Sequence, residues 1–360
     1  MTGDGTRCVH GGAGDGLPGS PTVAPPVLAT QFHLGGEHFY GRAGNPTWAA
    51  LESAIGDLDG GHCVVYASGM AATSSLLRTL LAAGDTVVLP ADGYYLTRAY
   101  VRDHLGALNL TVREVPTSAA WTPELVDGAR LVLVETPSNP GLDVCDLVEV
   151  ARLAHAAGAL LAVDNTTATP LGQRPLELGA DIAFASDTKA LSGHSDVVLG
   201  HISTTDPELA TRLRAERTAS GAVPGPFEVW LAHRGLGTLD LRLARQADNA
   251  AALYQALRGH PRVRGLRWPG AAADPAHPIA KHQMRRFGGV VTFELESAEA
   301  ADEFVAKAKL VAAATSFGGL HSTADRRAQW GDPVPDGLIR FSCGCEDAAD
   351  LIADILAALR

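Results

Sequence analysis

Between residues 48 and 235 the chain alternates short apolar runs with longer stretches whose apolar residues recur at helical spacing. Thr86 to Leu89, Leu131 to Val134, Leu160 to Val163 and Ile182 to Ala185 are such runs. A strand with one wet face would alternate polar and apolar positions, so continuous runs predict strands buried on both faces of a parallel sheet. Between two of them, Asp146 to Ala157 places Leu147, Val150, Ala151 and Ala154 at helical spacing, and Gly158 follows as a stop. The interval from one run to the next near Leu131, Leu160 and Ile182 is about that of a βαβ unit. This region therefore predicts a large α/β domain over 48–235.

From residue 236 the order changes. A helical run at 240–257 precedes a strand at Gly289 to Leu295, a helix at Ala298 to Leu310, a strand at Leu338 to Ser342 and a last helix from near Glu346. That order predicts a smaller α+β domain over 236–360, packed on the first. Residues 1–47 are rich in Gly and Pro with little periodicity, and are expected to form an extended arm rather than a domain.

Composition narrows the partners. Apolar residues make up 46% and charged residues 19%, which leaves ample core for a globular chain of 360 residues. A net charge of −11 without a basic stripe argues against nucleic acid. No apolar run approaches the roughly 18 residues of a membrane span. The first residues lack the basic and apolar regions of a secretory signal, and five scattered cysteines fit a reducing cytosol, so a cytoplasmic location is expected.

The chemistry-bearing residues collect where predicted strands end. Asp164 closes one run, and Ser186-Asp187-Thr188-Lys189 follows the next. A strand-end carboxylate and a strand-end lysine on neighbouring strands suit pyridoxal phosphate (PLP). The amine forms a Schiff base with the cofactor aldehyde, and the carboxylate keeps the pyridine nitrogen protonated. Ser186 and Thr188 are then placed for the phosphate. Ser68-Gly69-Met70-Ala71-Ala72, between the run Cys63 to Tyr66 and the helix-like Thr73 to Leu81, puts small residues at a helix N-terminus, a phosphate-binding geometry. Asp92-Gly93-Tyr94-Tyr95 offers a tyrosine to stack on a planar ring. Glu135 to Pro140 places Asn139 in a Pro-rich loop beyond a strand end, where open α/β sheets bind ligands. Each feature alone also fits an ordinary turn; their joint occurrence carries the argument.

Together these segments resemble the Cys/Met metabolism family of PLP-dependent enzymes. The matching runs are 40–47 (YGRAGNPT), 68–72 (SGMAA), 135–140 (ETPSNP), 163–166 (VDNT), 186–196 (SDTKALSGHSD) and 316–319 (SFGG), in family order across the chain. The resemblance implies an aminotransferase-like, fold type I large domain with a smaller C-terminal α+β domain. It implies PLP as cofactor, with Lys189 and Tyr94 catalytic. Gly69, Met70, Asp164, Thr166, Ser186 and Thr188 would join them in holding the cofactor. Tyr40 and Arg42 would reach the phosphate of a neighbouring subunit, in a homodimer with shared active sites that pairs into a tetramer. Asn139, Ser316 and Arg340 would hold the substrate α-carboxylate. The implied activity is carbon–sulfur lysis of a sulfur amino acid, as in cystathionine γ-lyase. γ-Replacement on an acylated homoserine and β-elimination stay open beside it.

One position departs from the family pattern. Gly318-Gly319-Leu320-His321-Ser322 carries His321 where many relatives have a glutamate near the distal amine of the substrate, so His321 enters the substrate-binding set as an altered reader of that group. Leu96 stands where methionine γ-lyases often have a cysteine, which lowers that reading. Two readings of other classes compete: a serine hydrolase built on Ser186-x-x-Lys189, and a catalytically silent scaffold. The first lacks the Lys-Thr-Gly and Ser-Asp-Asn that should accompany it. Gly14 to Gly19 fits the dinucleotide pattern but follows no strand and contains proline. Cys343-x-Cys345 lacks companion metal ligands, and His277 and His282 read as loop histidines.

Overall fold

The computed structural model describes residues 2–14 and 16–360. The Gly14–Gly19 match spans residue 15, outside the described residues. Two sheets organise the chain. The first has seven strands: β1 (His62–Tyr66), β2 (Thr86–Pro90), β3 (Thr111–Val115), β4 (Ala129–Glu135), β5 (Leu160–Asp164), β6 (Ile182–Ala185) and β7 (Gly200–Thr204). Their spatial order is β1-β7-β6-β5-β4-β2-β3. The four strands expected from apolar runs are β2, β4, β5 and β6; they pair in parallel at the centre, buried on both faces as continuous apolarity requires. Helices such as Gly69–Leu80 and Leu147–Ala156 cover the two faces.

In this sheet the pattern hid two strands, β3 and β7, for opposite reasons. β3 is an edge strand, largely exposed, so its sequence is polar and shows no apolar run. β7 is buried throughout, yet its sequence is Gly-His-Ile-Ser-Thr. It runs antiparallel to both β1 and β6, and polar side chains there find partners inside the protein.

The second sheet lies wholly beyond residue 263. It comprises β8 (Arg264–Arg267), β9 (Val290–Glu294), β10 (Ala312–Ala313), β11 (Thr323–Arg326) and β12 (Leu338–Ser342), in the order β10-β11-β12-β9-β8. All its pairings are antiparallel except that of β10 with β11. Strand alternation sorts its residues. Phe293, Ile339, Phe341 and Ala324 enter a core with Leu253, Phe304 and Leu351 from the helices Leu239–Leu257, Ala298–Lys307 and Ala348–Ala358. Arg340 and Asp325, register partners on β12 and β11, occupy the alternate positions and face the first sheet, where Arg340 bonds to Asn139.

The N-terminal segment departs from the expected extended arm. Asp4–His10 is helical, with Cys8 buried against Trp48, Leu51 and Leu239. Asp4 pairs with Arg174, which ties this helix to the segment between β5 and β6. The helices Pro207–Ser220 and Pro226–Leu236 also escaped the pattern. The helix expected to reach Leu310 stops at Lys307, and Asp354 takes the backbone N–H groups of Lys309 and Leu310 instead.

Candidate active site

The parallel strands all end at the same edge of the first sheet, and register aligns Glu135, Asp164 and Phe184 along it. A cavity of about 490 Å³ opens there, closed from the other side by Ser316, Phe317 and Arg340. Strand ends of an open α/β sheet form such crevices because the backbones diverge beyond the last ladder bond.

Ser68 caps the helix Gly69–Leu80: its Oγ accepts the Ala71 N–H at 3.0 Å, and its carbonyl accepts that of Ala72. The N–H groups of Gly69 and Met70 have no intrahelical acceptor, and both residues line the cavity. Gly69 is required by close approach. A Cβ there would lie 2.7 Å from Ser186 Cβ, so glycine lets the helix start and the Ser186 turn share one cradle. Free backbone N–H groups and a helix dipole at one wall suit an anion.

Asp164 is buried at the cavity wall. Thr166 donates to its Oδ1 twice, from N–H at 3.0 Å and from Oγ1 at 2.5 Å, and Oδ2 has no donor among the described residues. No cation of the chain pairs with it among the described residues, and burial pushes its carboxyl up despite those bonds. A buried acid without an ion-pair partner suits a ring N–H⁺ brought by a ligand.

Lys189 Nζ donates to Ser316 Oγ at 2.8 Å. Burial first, then the charges of Arg340 and Arg327, lower the amine to about 8. Ser316 has a φ of 80°, the left-handed region costly for a residue with a side chain. That backbone aims its hydroxyl at Lys189 and its carbonyl at Arg340 Nη2, 3.0 Å away. Arg340 Nη1 donates to Asn139 Oδ1 at 2.9 Å, while its Nε is buried without a partner. Tyr94 lines the cavity, and Glu135 Oε2 accepts its N–H at 2.6 Å. Burial and the nearby Asp164 push the Glu135 carboxyl well up.

Cofactor chemistry fits this donor set: an anion cradle, an unpaired buried acid and a depressed lysine amine share one cavity. The sequence profile of the Cys/Met metabolism PLP-dependent enzymes matches residues 27–360. The chain belongs to that family. It is a PLP-dependent enzyme with an aminotransferase-like fold. A Streptomyces coelicolor protein provisionally named cystathionine gamma-lyase is 52% identical, covering 99% of this chain and 93% of that protein. The cystathionine gamma-synthase of Mycobacterium tuberculosis is 38% identical over 100% and 97%. Among solved structures, apo CalE6 from Micromonospora echinospora, described as a methionine gamma lyase, superposes with a TM-score of 0.95 at 36% identity, covering 100% of this chain and 99% of that one.

The cavity gathers Gly69, Met70, Tyr94, Asn139, Asp164, Thr166, Ser186, Thr188, Lys189, Ser316 and Arg340. Thr188 comes with a restriction: its hydroxyl donates to the Leu199 carbonyl at 3.2 Å, so that proton is already committed. Ser186 Oγ carries no such bond, and it is Ser316, not Ser186, that receives the Lys189 amine. The Ser-Lys pair a hydrolase would need is therefore not made. Tyr40 and Arg42 lie outside the cavity of their own chain; Arg42 sits 5.6 Å from the Tyr40 ring.

His321 is exposed and does not line the cavity. The turn after Gly319 carries it away, which removes the reason to assign it the distal group. Arg327 and Trp330 line the cavity instead. Asp325 Oδ2 accepts from Arg327 at 3.0 Å and from Trp330 Nε1 at 3.2 Å, which holds both in place. Their signal in the sequence was Asp325, two residues from Arg327 on a strand that pairs with that of Arg340.

Proposed function

We propose that this enzyme is a carbon–sulfur lyase that eliminates the sulfur-bearing group of an L-cystathionine-like amino acid, giving cysteine, 2-oxobutanoate and ammonia. The observation that carries the reading is the convergence of Lys189, Asp164 and Arg340 on one cavity. Bound PLP supplies an electron sink that acidifies the substrate Cα–H.

The chain does the rest. Gly69, Met70 and Ser186 hold the phosphate; Thr188 joins them only by releasing Leu199. Asp164, steadied by Thr166, holds the ring N–H⁺, and Tyr94 covers the ring. Arg340 and Asn139 take the substrate α-carboxylate. This orients Cα–H toward Lys189. An amine near 8 is neutral often enough at physiological pH to take that proton, and basic enough to hold it. The amine gives that proton up within the site before it removes one from Cβ; the Cγ–S bond then breaks, the sulfur leaves with a proton as the thiol of cysteine, and water releases 2-oxobutanoate and ammonia. Ser316 Oγ keeps Nζ on the cavity side between transfers.

Tyr40 and Arg42 complete the phosphate site of a second copy in a homodimer, the assembly unit of a cytoplasmic tetramer. Among the described residues no helix is long and apolar enough to cross a membrane.

Purified protein should carry a visible band that borohydride reduces onto Lys189, and Lys189→Ala should lose both band and turnover. Unchanged turnover in that variant would refute the reading. Product identity with and without an added thiol separates elimination from γ-replacement.

A further inference from the structure

A buried ionic cluster stands directly behind the turn that carries Lys189. Both ring nitrogens of His201, on β7, meet carboxylates: Nδ1 lies 2.6 Å from Asp187 Oδ1 and Nε2 3.1 Å from Asp59 Oδ2. Ser203 Oγ donates to the same Asp59 oxygen at 2.6 Å. His201 and Asp59 are each 1% exposed, Asp187 and Ser203 not at all. A neutral imidazole has one N–H and could serve one carboxylate only; two carboxylates at two nitrogens make it an imidazolium. Burial opposes that charge, but the two carboxylates raise the ring to about 10.

Such a cluster is expensive. It places two carboxylates and one cation in the interior, where apolar residues of similar size would serve the fold as well or better. Asp59 Oδ1 and Asp187 Oδ2 are left without partners. The surroundings on this side of the sheet, Cys63, Val65 and Leu199, form an ordinary apolar core. What the cluster does uniquely is join three elements: the end of the helix Pro46–Asp59, β7, and the turn between β6 and Lys189. Asp187 sits between Ser186 and Thr188, and its carbonyl accepts the Ser192 N–H at 3.0 Å. The cluster also acts through space. After the bonds from Thr166, the charge of His201 is the next influence drawing the Asp164 carboxyl down, ahead of Lys189 itself.

We propose that His201 is a positioning residue for the cofactor: clamped as a cation between Asp59 and Asp187, it fixes the Ser186–Lys189 turn against β7 and the end of the helix Pro46–Asp59. The proposal rests on the assignment of Ser186, Lys189 and Asp164 as cofactor contacts.

The test compares the parent with Asp187→Ala/His201→Leu, which removes one carboxylate together with the cation and leaves Asp59 bonded to Ser203. The readouts are the dissociation constant of PLP from the apo protein and the visible circular dichroism per bound cofactor, which reports the fixed tilt of the ring. The double variant should bind PLP on the order of tenfold more weakly and lose much of the visible dichroism, with far-ultraviolet dichroism unchanged. Should it fail to fold, Asp187→Asn, which keeps an acceptor at Nδ1 but strips the charge, is measured in the same way and should shift both readouts in the same direction. A folded variant with a dissociation constant within about twofold of the parent and full visible dichroism overturns the proposal. Failure of borohydride to link the cofactor to Lys189 in the parent counts against the site assignment instead.

Discussion

Replacing Arg340 by methionine tests the substrate-binding half of the site. Arg340 is 4% exposed, and three of its neighbours are already bonded to it: Asn139, the Ser316 carbonyl and Asp325, the last at 3.3 Å. Methionine fills part of the volume and removes the charge. Asp325 is not stranded, because Arg327 and Trp330 still donate to it, so the variant should fold. What is lost is a buried, charge-assisted bond to the substrate carboxylate, about 2 to 5 kcal/mol. At about 1.4 kcal/mol per tenfold, kcat/KM should fall by roughly 30-fold to 4,000-fold. A disturbed Ser316 would add to that loss, so the assay pairs two substrates: the amino acid, and the same compound with the α-carboxyl of its reacting end converted to a primary amide. The parent should prefer the acid, and Arg340→Met should show nearly no preference. Arg340→Lys should recover part of it, since an ammonium restores charge but not the planar fork. A methionine variant that keeps the parent preference for acid over amide would refute the role assigned to Arg340.

Three further outcomes follow from the same geometry. In Arg327→Gln a positive charge that lowers the Lys189 amine is gone, so the amine should turn basic above the parent value of about 8; the pH profile of imine formation by the apo protein should move to higher pH, and an unmoved profile contradicts the assigned cause. Gly69→Ala places a Cβ 2.7 Å from Ser186 and must part the two halves of the anion cradle; PLP affinity should fall by on the order of tenfold or more, and retained affinity would clear the cradle of its role. Trp330→Ala should alter the ranking of substrates that differ beyond the sulfur, whereas His321→Glu should leave it unchanged, because Trp330 lines the cavity and His321 does not; the reverse pattern in competition assays would restore His321 to the site.

The centre of the fold was legible because both-sided burial leaves a mark that a single sequence can show. β2, β4, β5 and β6 have no wet face, so their apolar runs are unbroken. Edge strand β3 left no such mark, and β7 hid a buried strand behind histidine, serine and threonine, whose partners come from elsewhere in the chain; Asp59 lies 142 residues from His201. The helix Asp4–His10 is seven residues long, too short for a period to stand out, and is stabilised by packing and by Arg174 rather than by its own sequence.

Of the site, the sequence by itself determined the residues that act through position in a short motif. Lys189, Asp164, Gly69 and Asn139 each follow a strand or open a helix, and the rule that such ends share one edge brings them together without any tertiary knowledge. Only the tertiary structure decided which side chains from the second sheet meet them. Arg327 and Trp330 enter the cavity because β11 pairs with β12 and Asp325 anchors them, while His321, one turn earlier, points to solvent. The same is true of the charges. Burial and two guanidinium groups, one of them 151 residues along the chain from Lys189 and the other 138, set its amine near 8, and long-range fields of that kind have no trace in local sequence because they depend on distance in space alone.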